Sequence, residues 1–118
     1  MNPISEREFQ SQILQLAKAF GWLWFHTYDA RRSQPGFPDL VLVRERVIFA
    51  ELKTARGKQS DAQRAWESRL RAAKAEFYLW RPDSWDEIRR VLAPVAGAAP
   101  AAWVGVQVPG GLRIGGGS

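Results

Sequence analysis

A chain of 118 residues with 46% apolar side chains is long enough for one compact domain with a real core and too short for two of ordinary size. It has no cysteine and a single histidine, His26, which excludes a disulfide framework, a thiolate zinc site and a multi-histidine centre. Any metal is therefore held mainly by oxygen, which favours a hard cation such as Mg²⁺, Mn²⁺ or Ca²⁺. Seventeen Lys and Arg against twelve Asp and Glu give a net charge of +5, a balance suited to a polyanion such as nucleic acid and shared by proteins with a merely solvated basic surface.

The first predicted element is a helix from Ser5 to Phe20, because Phe9, Ile13, Leu16, Ala17 and Phe20 recur at helical spacing and Gly21 ends the run. Ser5 with Glu8 forms a capping-box pattern. On the helical wheel Glu6 falls with Phe9, Ile13 and Ala17, whereas Glu8 falls where a cap partner sits. The aromatic run Trp22 to Tyr28 reads as a strand, and the polar run Asp29 to Gly36, with Arg31 and Arg32, reads as a loop. Strands Asp39 to Val43 and Val47 to Lys53 follow, joined by the charged turn Arg44-Glu45-Arg46 as a hairpin. After the basic loop Thr54 to Gln59, a helix from Ser60 to about Lys74 carries Ala62, Ala65, Trp66, Leu70 and Ala73 on one side. Ser60 and Gln63 match a capping box, but Gln63 also borders the apolar stripe, so cap and site are both open for it. Glu76 to Trp80 is a fourth strand, and Ser84 with Glu87 caps a third helix carrying Trp85, Ile88 and Leu92. The domain spans 1–92, and 93–118 reads as an Ala/Gly/Pro-rich tail in which Val104 to Val108 and Leu112 to Ile114 form a marginal hairpin.

The hairpin has a definite arithmetic. With the turn centred on Glu45, opposed residues have numbers summing to 90, which sets Val43 against Val47, Val41 against Phe49, and Asp39 against Glu51. Opposed β-carbons lie roughly 4.5 to 5.5 Å apart, near enough for two carboxylates to share one cation and repulsive without it. Lys53 projects from the same face, two residues beyond Glu51. Both faces of the hairpin are apolar, so a sheet covered on both sides is expected, with Pro38 at a strand start where no ladder bond is lost. His26 reads as a strand histidine, and Trp22, Trp24, Trp66, Trp80 and Trp85 as core. Glu-x-Lys on a strand is by itself most often a solvated strand end.

Glu6 with Phe9-Gln10, then Gly36-Phe37-Pro38-Asp39-Leu40, Glu51-Leu52-Lys53, and Gln63 with Trp66, in that order, resemble the VRR-NUC branch of the PD-(D/E)XK nuclease superfamily over residues 5–92. The resemblance implies an α/β restriction-endonuclease-like core, a central mixed sheet of about four strands flanked by helices. It also implies a metal-dependent nuclease hydrolysing DNA phosphodiesters, with selectivity for a junction or flap in view. Metal ligands would be Asp39, Glu51 and the Leu52 carbonyl, with Glu6 assisting, Lys53 activating or positioning water, and Gln63 a further site residue. Mg²⁺ is the expected cofactor, with Mn²⁺ substituting. Arg31, Arg32, Arg56 and Lys58 are candidate phosphate contacts. The rival expectation is a nucleic-acid-binding module of the same fold without turnover; a hydrolase for another phosphate ester is weaker. By analogy with junction resolvases a homodimer is expected. Membrane association and a nucleotide cofactor are not, and Met1 to Glu6 lacks the features of a signal peptide, so the expected location is cytoplasmic.

Overall fold

The computed structural model describes residues 3–27 and 34–94. Arg31, Arg32, Tyr28 and the expected tail hairpin lie outside the described residues, as does Trp103. The elements run α1 (Glu6–Ala19), β1 (Leu23–His26), β2 (Leu40–Val43), β3 (Val47–Leu52), α2 (Asp61–Ala72), β4 (Glu76–Trp80) and α3 (Trp85–Leu92). The strands make one sheet in the order β1-β2-β3-β4. β1, β2 and β3 pair antiparallel, and β4 joins β3 in parallel after the α2 crossover. This is the mixed α/β sheet expected. Among the described residues no helix is long and apolar enough to cross a membrane.

Alternation along the hairpin separates two faces. Leu40, Leu42, Ile48, Ala50 and Leu52 are fully buried against Phe9, Ile13 and Ala17 of α1 and Ile88 and Leu92 of α3. Each side chain of Leu or Ile size there contributes about 2 kcal/mol by leaving water. Among the described residues the opposite face is covered by α2, toward β4, and Phe25 and Val47 are 60% and 45% exposed.

The ends of the helices follow their local chemistry. At α1 the Ser5 side chain accepts from the Glu8 N–H and the Glu8 carboxylate accepts from the Ser5 N–H, a reciprocal cap. Gly21, at φ +85°, takes the left-handed conformation that ends the helix. The expected cap of α3 is different. Pro82–Ser84 forms a 3₁₀ turn, the Ser84 hydroxyl accepts from the Arg81 N–H at 3.0 Å, and Glu87 accepts from the Trp80 indole at 3.2 Å instead of closing a capping box. Pro82 already sets the turn that a capping side chain would otherwise set.

Candidate active site

The β2–β3 register is Leu40↔Ala50, Val41↔Phe49, Leu42↔Ile48 and Val43↔Val47, as the sum rule requires. Backbone pairing stops one step short of Asp39 and Glu51. There the Asp39 side chain takes over from the backbone: its Oδ2 accepts from the Leu52 N–H at 2.7 Å. The residue that continues the register opposite Leu52 is Pro38, which has no N–H to return to the Leu52 carbonyl. The strand end thus carries an anchored carboxylate beside a carbonyl with no ladder donor from that position.

Glu51 is 1% exposed, and neither of its carboxylate oxygens accepts a hydrogen bond. Buried polar atoms almost always have partners, so this side chain is the exception in the described molecule. Burial pushes its carboxyl above the ordinary value, more than Lys53 and Gln59 pull it down, and Asp39 and Glu67 push it further up. Asp39 is raised by burial against the pull of the Leu52 N–H and Lys53. Glu6, exposed on the first turn of α1, is raised by burial of its carboxyl and by Asp39, and lowered by Lys53. Glu6, Asp39 and Glu51 therefore share one electrostatic field with Lys53, although Lys53 forms no ion pair with any of them among the described residues.

The backbone supporting these groups is fixed from two sides. Gly36, at φ +89°, lies flat on the first turn of α2: a β-carbon there would sit 2.4 Å from the Ala62 carbonyl carbon and 2.7 Å from the Gln63 nitrogen. Trp66 donates its indole N–H to the Pro35 carbonyl at 3.0 Å, and Phe37 packs edge-on against Phe49 and Trp66. Trp66 is accordingly a clamp on the loop before Asp39 and only half-buried, not a core residue. On the other side, one Arg81 nitrogen donates to the Thr54 and Gly57 carbonyls at 2.8 and 2.7 Å. That closes the loop carrying the exposed Arg56 and Lys58. A hollow of about 640 Å³ lined by Pro3, Ile4, Thr54, Ala55 and Arg56 opens between the segment entering α1 and the segment leaving Lys53.

Gln63 is used as a cap: the Ser60 hydroxyl accepts from its N–H at 3.1 Å, and its Oε1 accepts from the Ser60 N–H at 2.8 Å. Sequence reasoning missed Gln59 and Glu67. Gln59 donates to Glu67 at 2.8 Å, and Arg71 donates to the second Glu67 oxygen at 2.8 Å. Burial raises Glu67, but these two bonds outweigh it and hold the carboxyl below its ordinary value. The Glu67–Arg71 pair has the i,i+4 spacing of an ordinary helix ion pair, and nothing local marks its approach to Glu51.

The family model for the VRR-NUC domain matches residues 4–84. The chain belongs to the VRR-NUC family. That is a nuclease-type domain, and the acids, Lys53 and the Gly36 contact all lie inside the matched segment. A solved VRR_NUC domain protein, 17% identical, has the same fold with a TM-score of 0.59 over 68% of this chain and 79% of its own. A second solved VRR_NUC domain, 23% identical, gives a TM-score of 0.59 over 74% of this chain and 92% of its own. No curated protein matches the chain.

The donors at the strand end suit a cation. Among the described residues no three His, Cys, Asp or Glu side chains gather into a metal cluster. A cation would thus rest on the two carboxylates and the Leu52 carbonyl, completed by water or phosphate oxygen. An all-oxygen, partly hydrated site fits Mg²⁺ or Mn²⁺, and the unpartnered Glu51 carboxylate is the atom set that such an ion would satisfy.

Proposed function

We propose that this VRR-NUC protein is a divalent-metal-dependent nuclease hydrolysing DNA phosphodiesters. The observation that carries the reading is Glu51, buried, raised and with both oxygens lacking partners, next to Asp39 at the end of the sheet. A protein keeps such a group where a ligand satisfies it. Asp39, Glu51 and the Leu52 carbonyl would hold Mg²⁺ or Mn²⁺, which when bound polarises the scissile phosphate. The Lys53 ammonium, in the field of all three acids, stabilises charge developing on the phosphate and orients the attacking water. Glu6, exposed at the mouth of the site, accepts the proton that water gives up. Arg56 and Lys58, on the loop tied down by Arg81, hold flanking phosphates.

The test is cleavage of branched, flapped, single-stranded and linear duplex DNA with Mg²⁺ or Mn²⁺ by wild type and by Asp39→Ala, Glu51→Ala and Lys53→Ala. Losses of about 10²-fold or more in each variant are expected. Undiminished cleavage by the variants removes this site, and binding without cleavage on every substrate favours the non-catalytic module.

A further inference from the structure

On the flank of α1 turned toward β1, Arg7, Gln10, Ser11, Leu14, Gln15 and Lys18 follow one another at alternating intervals of three and one residues and, with Trp24, line a groove of about 340 Å³. That spacing makes a single continuous helical stripe. Its eleven-residue span corresponds to roughly 16 Å along the helix axis. Among the described residues the lining has a cation at each end, three uncharged hydrogen-bonding side chains between them, and no carboxylate. The floor is aromatic: Trp24 stacks on His26 with ring centroids 5.5 Å apart and planes 26° apart, and the Gln10 amide nitrogen stands 3.5 Å from His26 Nδ1.

The groove begins one residue along α1 from the candidate active site. Arg7 follows Glu6 in α1, and at the end of β1 the Thr27 N–H donates to the Asp39 carbonyl at 3.1 Å. A chain leaving the acids along this flank meets a cation, an amide and an aromatic face, then a second cation. Alternation of positive charge with a stacking platform is how proteins hold single-stranded nucleic acid, whose bases are free to leave the stack. A volume of about 340 Å³ lies in the range of small-ligand clefts and can seat a splayed base. A described lining with two cations and no acid matches a polyanionic occupant.

We propose that the groove between α1 and β1 is a track for a single-stranded nucleic-acid segment leading away from the active site, with a base against Trp24 and phosphates at Arg7 and Lys18. This rests on the nuclease reading and adds to it a binding site for the single-stranded part of a substrate.

The experiment compares binding of a tailed duplex and a blunt duplex of the same paired length, by fluorescence anisotropy without divalent cation, for the full chain and for Arg7→Glu, Lys18→Glu and Arg90→Glu. Arg7 and Lys18 are exposed, as is Arg90 on α3, so the three variants carry the same charge change at the surface. Each groove variant should weaken the tailed duplex roughly tenfold more than the blunt one and lower the salt slope for the tail by about 0.7 per cation removed. Arg90→Glu should shift both duplexes alike. Trp24→Phe should remove the quenching of tryptophan emission by an oligothymidylate. Parallel losses on both duplexes, or quenching unchanged in Trp24→Phe, overturn the groove. A wild type that cleaves but binds tailed and blunt duplexes equally overturns the groove and leaves the nuclease reading standing. A tail preference that persists in a protein cleaving nothing supports the groove and overturns the nuclease reading.

Discussion

The two ends of the β2–β3 hairpin treat charge in opposite ways. At the turn, Arg44 is 8% exposed, yet its guanidinium is fully engaged. It bonds both oxygens of Glu45 and the Phe20 carbonyl, lies 3.4 Å from the Leu92 carbonyl, and rests 4.5 Å over the Trp22 ring. Arg46 bonds Glu45, Glu76 and the Val91 carbonyl. The Arg44 hydrogen bond, ahead of the other causes, holds the Glu45 carboxyl down at about 2. At the opposite end Glu51 is more buried still and no donor meets its oxygens in bonding geometry, Gln59 only pulling on it from nearby, and the neighbouring acids are pushed up instead of down. A buried charge with every partner supplied by the protein belongs to the architecture. One left without partners is held for something that arrives later.

The largest expected break in this contrast is Arg44→Ala. It leaves the Phe20 carbonyl at the end of α1 without its side-chain donor and strips the Trp22 face, so urea unfolding should show a loss of about 3 kcal/mol with cleavage per folded molecule unchanged. A loss below about 1 kcal/mol would make the pairing at the turn incidental. Gly36→Ala acts on the other end. The added methyl meets the backbone of α2 at a positive φ, and a cost of about 2 kcal/mol is expected, with reduced cleavage because the loop into Asp39 must move.

Glu51→Gln should have the opposite sign. Removing a buried, unpaired charge should stabilise the cation-free protein at neutral pH by about 1 kcal/mol, or some 5 °C in Tm for a domain this size. It should also abolish the rise in Tm on adding Mg²⁺. The pH dependence follows from the direction of the shift. A carboxyl raised above its unfolded value of 4.5 binds protons more readily in the folded protein, so its contribution to stability is complete below that value and is lost as pH rises through the folded one. The gap between Glu51→Gln and wild type should therefore widen from acid to neutral pH; a gap independent of pH would mean that Glu51 is not an uncompensated charge. The smallest effect is at Gln63. Glutamate can replace it in the reciprocal cap, so Gln63→Glu should unfold like wild type and Gln63→Ala about 0.5 kcal/mol earlier. A change in cleavage by the folded Gln63→Glu protein would restore a site role to that residue.

Local chemistry was legible in the sequence and long-range packing was not. The hairpin register came from counting, because a short turn fixes pairing for the residues on either side, and the Ser5–Glu8 cap needs only three residues' separation. The Ser84–Glu87 cap failed for an equally local reason: Pro82 opens a 3₁₀ turn that gives the Ser84 hydroxyl to Arg81. The share of the second sheet face that α2 covers, the burial of Arg44 and the approach of Gln59 and Glu67 to Glu51 depend on where whole helices come to rest. A pattern of apolar residues says that a face is sticky, not how much of it a neighbour covers. The site lay between these cases. Opposed acids were readable, but that Glu51 would be sealed from water with no partner was not, since that depends on packing around β3 and β4.

Pro38 has a consequence for assembly order. The bond that replaces the missing rung joins residues only thirteen apart, so the acid pair is brought together by a short chain closure, whereas the parallel pairing with β4 must wait for α2 to cross over. Electrostatic repulsion between Asp39 and Glu51 is thus felt while the hairpin closes, early in the history of each molecule. A cation able to bridge them would act on the folding rate as well as on the finished fold.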